Sequence, residues 1–149
     1  MSDPRELYQQ VILEHNKKPR NFGKLEPCTH YAHGLNPLCG DDIEVTLVVE
    51  DGIVKDLKFQ GHGCAISQAS SSLMTVNVKG KPVREAEIMV EQFREMIRGK
   101  LDPATEPHSL GKLTLFQGVK DLPSRVKCAV LPWATLHSAL EGDEAASTE

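Results

Sequence analysis

Three cysteines and one aspartate stand in settings suited to holding a cation or a reactive sulfur. Cys39 and Asp41 lie in Asn36-Pro37-Leu38-Cys39-Gly40-Asp41-Asp42, Cys64 follows Gly61-His62-Gly63, and Cys128 closes Arg125-Val126-Lys127-Cys128. Zinc takes four ligands in a tetrahedron, mostly Cys and His and sometimes a carboxylate. Gly40 lets the backbone turn tightly, so that Cys39 and Asp41 can face one point. Cys64 stands where a helix should begin, and exposed N–H groups there favour thiolate over thiol. Arg125 and Lys127 can offset part of the negative charge. The alternative is three buried free cysteines, because the spacing lacks a paired C-x-x-C. The fourth cysteine, Cys28, lies near His30 and His33 and reads as a structural thiol. His62 and Asp42 are second candidates beside the site or plain loop residues. Ser67, Ser70, Ser71 and Ser72 read as small packing residues, since no base is placed beside them and no G-x-S-x-G occurs.

These residues need elements to bring them together. Ile43, Val45, Leu47 and Val49 alternate with more polar neighbours, Asp51-Gly52 is a type I′ turn pair, and Ile53 to Phe59 forms the returning strand. Cys39 and Asp41 precede the first strand of this hairpin and Cys64 follows the second, so the hairpin alone predicts that they are neighbours. Asp3-Pro4 with Glu6 starts a helix running to about His15, with Leu7, Val11 and Leu13 beside Tyr8 and Ile12 as its apolar positions. Residues 24–42 read as loop with at most a short edge strand. A helix from Cys64 to about Val78 carries Ile66, Ala69, Leu73 and Val76. A further helix starts at Lys81-Pro82 and ends at Gly99. Residues 100–122 read as loop plus one short helix. A proline inside a helix costs about 3 kcal/mol, so Pro132 predicts a break: one short helix from Pro123, another from Pro132 to Leu140. The expected organisation is a single domain over 1–140 and a frayed, disordered acidic tail over 141–149.

The totals narrow the function. The chain has 149 residues, enough for one domain with a core, and its net charge of −4 is spread along the sequence. No basic stripe suggests nucleic acid. No apolar run suits a membrane span, and the N-terminus lacks a signal-peptide pattern. The expected location is cytoplasmic, where thiols stay reduced and serve metal or catalysis more often than disulfides.

The blocks Asn36-Pro37-Leu38-Cys39-Gly40-Asp41, Gly63-Cys64-Ala65-Ile66-Ser67-Gln68-Ala69-Ser70 and the segment around Cys128 together resemble the iron–sulfur cluster assembly scaffold family, IscU and the N-terminal part of NifU. Leu7-Tyr8-Gln9-Gln10-Val11-Ile12-Leu13-Glu14-His15 and Pro19-Arg20-Asn21-Phe22-Gly23 share the likeness. Two departures from the scaffold point to the SufU branch. The stretch between Cys64 and Cys128 is longer, with the extra length near residues 100–122, and Lys127 stands where the scaffold has His. The resemblance implies an α+β fold, a small antiparallel sheet of about three strands with five to six helices mainly on one face. It implies a zinc-dependent sulfurtransferase that accepts persulfide sulfur from a SufS-type cysteine desulfurase and passes it to downstream cluster-assembly proteins. The implied zinc ligands are Cys39, Asp41, Cys64 and Cys128, with Cys39 the sulfur acceptor and Arg125 its cationic partner. The other possibility within the family is a scaffold that transiently holds an iron–sulfur cluster.

Overall fold

Asp51 and Gly52 both lie at positive φ (54° and 74°), as the two central residues of a type I′ turn must. They join strands Asp41–Glu50 and Ile53–His62, numbered β2 and β3 in the computed structural model, which describes residues 4–37 and 39–147. The sheet has four strands in the order β3-β2-β1-β4, where β1 is His30–Asn36 and β4 is Ala145–Ser147. The β1–β2 and β2–β3 pairs are antiparallel; β4 runs parallel to β1. The described residues also form four α-helices, α1 Pro4–Lys17, α2 Ala65–Val78, α3 Val83–Ile97 and α4 Pro123–Leu140, and a 3-10 helix at Gly111–Asp121; α2 and α4 pack on the sheet. The start expected at Asp3 lies outside the described residues.

Strand register fixes what faces the helices. Gly34 pairs with Ile43, Ala32 with Val45 and Asn36 with Asp41; Val45 in turn pairs with Phe59. Directly opposite residues share a face, and a Cβ added to Gly34 would lie 1.9 Å from Thr135 Oγ1 of α4. All these side chains therefore project toward α4. Asn36 and Asp41 form the pair nearest the end of the ladder on that side.

Several expectations change. β1 lies between β2 and β4 and is not a loop or an edge. Its inward positions are Ala32, Gly34 and Asn36, which lack the large apolar side chains that mark a strand; close packing of α4 demands small residues there. The supposed tail contributes β4: His33 N–H donates to Glu144 O (2.8 Å), and Gly142 at φ 84° reverses the chain. Pro132 does not break α4, which is continuous and buried from Cys128 to Leu136. Proline removes the N–H that would reach Cys128 O. Beside that gap, Ser70 Oγ donates to Ala129 O (2.6 Å) and accepts from Trp133 Nε1 (3.2 Å). Burial of Leu131, Trp133 and Leu136 outweighs the local penalty. Leu13 and Val76, placed in helical stripes, are exposed. In 100–122 the structure has a longer helix than expected. Leu110, Leu113, Phe116 and Val119 are buried at intervals of three, the period of a 3-10 helix.

Helix α3 ends as its sequence indicates. Gly99 lies at φ 78°, its N–H donates to Met96 O (3.1 Å) and Lys100 N–H to Glu95 O (2.8 Å), a Schellman arrangement. The core beneath holds Phe93 stacked on Trp133, with centroids 4.8 Å apart.

Candidate metal and sulfur-transfer site

The site sits where β1, the start of β2, the N-terminus of α2 and the first half of α4 meet. Ligand atoms of Cys39, Asp41 and Cys128 lie within 4.8 Å of one another. Cys39 is exposed, on a turn whose Gly40 has φ 72°; Asp41 and Cys128 are buried. Cys64 does not belong to that trio. It caps α2, and its Sγ accepts from Ser67 N–H (3.4 Å). Its own N–H, just beyond the end of β3 and beside the start of β2, donates to Asp41 Oδ1 (2.9 Å).

Asp41 is held from three directions. Oδ1 accepts from Cys64 N–H and from Ser67 Oγ (3.3 Å), whose single proton is shared with Cys64 O (3.2 Å). Oδ2 accepts from Asn36 Nδ2 (3.3 Å). A carboxylate has about four acceptor positions, so room for a cation remains on it. Gly63 leaves room for this arrangement, because a Cβ would come 2.4 Å from Ser67 Oγ and 2.5 Å from Asp41 Oδ1 and force one of them to move. Gly61, at φ 135°, would place one 2.0 Å from Asp42 O.

The sulfurs share one neighbour. Cys39 Sγ (3.8 Å) and Cys128 Sγ (3.9 Å) both approach Ser124 O in the first turn of α4. Burial pushes the Cys128 thiol far up from its ordinary value, and hydrogen bonding with Asp41, Cys39 and Cys64 adds to this. Without a cation the neutral thiol is favoured; a divalent ion reverses that preference by binding the thiolate. Arg125, exposed one turn before Cys128, is held more firmly charged by Cys64, by hydrogen bonding to Cys128 and by the charges of Cys128 and Cys39. Two soft sulfurs and one oriented carboxylate, with a third sulfur next to them, fit zinc in donor type.

Other candidates separate from this centre. His62 is exposed. Asp42 pairs with His33 Nε2 (2.5 Å). Ser70, Ser71 and Ser72 are buried and hydrogen-bonded within the packing, as expected, but Ser67 touches the site. Sequence reasoning also missed Asn36 and Tyr8. Tyr8 has a buried hydroxyl without a partner among the described residues, and burial followed by the charge of Cys64 raises its pKa. The proximity of Asn36 to Cys39 in sequence was visible, but its role depends on β1, which was read as loop.

The family model described as NifU-like N terminal domain matches residues 7–129. The chain belongs to this family. Two similar relatives carry different descriptions. The zinc-dependent sulfurtransferase SufU of Bacillus subtilis is 41% identical over 138 residues, covering 93% of this chain and 92% of the relative. The iron–sulfur cluster assembly scaffold protein IscU of Thermotoga maritima is 42% identical over 135 residues, covering 91% and 93%. A solved structure of a putative iron–sulfur cluster assembly scaffold protein for the SUF system, from Fervidobacterium islandicum, superposes with a TM-score of 0.82 at 38% identity, covering 91% of this chain and 97% of that one. The α+β architecture of this NifU-like chain is thus that of its family. No helix among the described residues is long and apolar enough to cross a membrane.

Proposed function

We propose that this NifU-like protein is a zinc-dependent sulfurtransferase that accepts persulfide sulfur from a SufS-type cysteine desulfurase in the cytoplasm and hands it on for iron–sulfur cluster assembly. The proposed zinc ligands are Cys39, Asp41, Cys64 and Cys128. The reading is carried by one contrast within the site: Cys39 is exposed on a glycine-hinged turn, whereas Asp41 and Cys128 are buried and braced. Bound zinc would keep the cysteine sulfurs deprotonated at neutral pH and shield them from other reactions. Cys64 would join that set by a turn of its side chain, since it caps α2 next to Asp41, to which its N–H donates.

Cys39 is the proposed acceptor. Its thiolate attacks the outer sulfur of the desulfurase persulfide, as thiolates attack disulfides. A bond forms between Cys39 Sγ and that sulfur, and the bond from that sulfur to the desulfurase cysteine breaks. The desulfurase cysteine leaves as a thiolate, the proton stays on the outer sulfur, which is now part of a Cys39 persulfide, and no net oxidation occurs. Arg125 supplies the positive charge beside the free thiolate.

The IscU relative is as similar as the SufU one, so a cluster-holding scaffold is the second reading. Lys127, in place of the histidine the scaffold branch carries, favours the transferase, because an ammonium cannot donate to a metal. Metal analysis of the purified protein with a desulfurase assay tests the choice. The transferase predicts about one zinc per chain and faster sulfur release by the desulfurase, abolished in Cys39→Ala. Undiminished stimulation by Cys39→Ala removes the role given to that residue. A stable, transferable chromophore after anaerobic reconstitution with iron and sulfide, without stimulation, establishes the scaffold.

A further inference from the structure

Asn36 touches three of the four proposed ligand residues without being one. It ends β1 and pairs across the ladder with Asp41. Its carbonyl accepts the N–H of Cys39 (3.2 Å). Its amide Nδ2 donates to Asp41 Oδ2 (3.3 Å) and toward Cys128 Sγ (3.7 Å). The side chain has no solvent exposure, and Oδ1 is buried with no hydrogen-bond partner among the described residues.

That orphaned oxygen separates two explanations. A residue present only to fill space would do better without it, because burying an unsatisfied acceptor costs folding stability. Leucine is close to asparagine in size and carries no orphaned oxygen of its own, at the cost of the donor to Asp41 Oδ2. What asparagine supplies and leucine does not is a neutral group with two N–H bonds in one plane, aimed here at a carboxylate oxygen and a sulfur. Both atoms carry negative charge once a cation is bound. Groups that hydrogen-bond to ligands in this way fix their orientation and alter metal affinity by about 10- to 100-fold.

We infer that Asn36 is a positioning residue: it locks Asp41 and Cys128 together as the fixed half of the metal site, so that the cation stays on them while exposed Cys39 leaves to collect sulfur. The inference rests on the zinc reading above and adds a division of labour within it. Ser67 and Cys64 N–H brace Asp41 on its other oxygen, and among the described hydrogen bonds Asn36 Nδ2 is the donor shared by the carboxylate and Cys128.

The test compares the unaltered protein, Asn36→Leu and Cys39→Ala with the double variant. Zinc affinity is read by chelator competition, thermal unfolding is read on metal-free protein, and cobalt(II) is used as a spectroscopic probe of the ligand set. Asn36→Leu is expected still to unfold cooperatively without metal, yet to bind zinc about 10- to 100-fold more weakly. Its thiolate-to-cobalt absorption should weaken or shift. Cys39→Ala should still retain zinc, and the double variant should lose it, so that the asparagine matters most when Cys39 is gone. Asn36→Ala, which can only open space, carries the same affinity comparison should leucine prevent folding. Unchanged affinity and cobalt spectrum in the Asn36 variants, with zinc still bound by the unaltered protein, overturns this inference alone. If the unaltered protein itself fails to hold zinc, the failure belongs to the metal reading.

Discussion

Helix α4 carries a ligand trio at each end, and the two could hardly differ more in how they are built. Near its start, Cys128 joins Cys39 and Asp41; near its end, His137 and Glu141 just beyond join Glu87 of α3. Both trios bring ligand atoms within 4.8 Å. The first is braced: Asp41 receives hydrogen bonds from Asn36, Cys64 and Ser67, and two of its three members are buried. The second has no fully buried member and pairs two carboxylates. Burial and hydrogen bonding with Glu141 push the Glu87 carboxyl up, the behaviour of two acids sharing a proton. Proximity of ligand atoms is therefore common to both, and what distinguishes a centre is the set of groups that hold them.

The sharpest way to break this comparison is to remove one ligand from each trio. Cys128→Ala or Asp41→Ala should weaken zinc binding by on the order of 100-fold or more, since even an outer partner is worth about 10- to 100-fold. His137→Ala should leave the zinc content unchanged, and a lost equivalent in that variant would make the second trio a metal site too. Gly63→Ala tests the bracing itself. The added methyl must displace Asp41 or Ser67, so zinc affinity should fall about tenfold and thermal unfolding should report a loss of roughly 1–3 kcal/mol. Ser70→Ala withdraws the hydroxyl that serves Ala129 O and Trp133 Nε1. It should cost about 1–3 kcal/mol, with the effect on metal affinity confined to the Cys128 end.

The smallest effect belongs to Glu87→Gln. A carboxyl whose folded pKa is raised above the usual 4.5 stabilises the fold fully below that value, and the contribution is lost as pH rises through the folded pKa. As pH rises, ionisation of the Glu87 carboxyl places like charge beside Glu141. Glutamine should then be more stable than the native residue by about 0.5 kcal/mol, the scale of a surface charge pair, with no gain at pH 4. Denaturant melts at the two pH values measure it, and equal differences at both would deny the shared proton.

Legibility followed local signal. The β2–β3 hairpin was plain because alternation and Asp51-Gly52 are both short-range, and it placed Cys64 beside Asp41. Helix α3 was plain for the same reason, from Pro82 to Gly99. β1 was hidden because α4 packs so closely that its inward residues shrink to Ala32 and Gly34. Pro132 misled because a local cost was outweighed by tertiary burial and by a serine 62 positions earlier. Of the site, the residues able to bind a metal could be picked by type. The ones that brace them, Asn36 and Ser67, could not, since amides and hydroxyls of that kind occur throughout any chain and gain meaning only from what they face.

The proline in α4 has a consequence for how the sulfur at its head is aimed. A helix advances about 100° per residue, so a one-residue slip would swing Cys128 away from Asp41 altogether. The ring of Pro132 and the hydroxyl of Ser70 make such a slip difficult, because only one setting of α4 against α2 places the proline gap beside that serine. The azimuth of a thiol at the surface of the site is thus indexed by a notch in the interior. Substitutions around Trp133 and Ser70, remote from any ligand, should for that reason alter how the centre grips its ion as well as how firmly the chain folds.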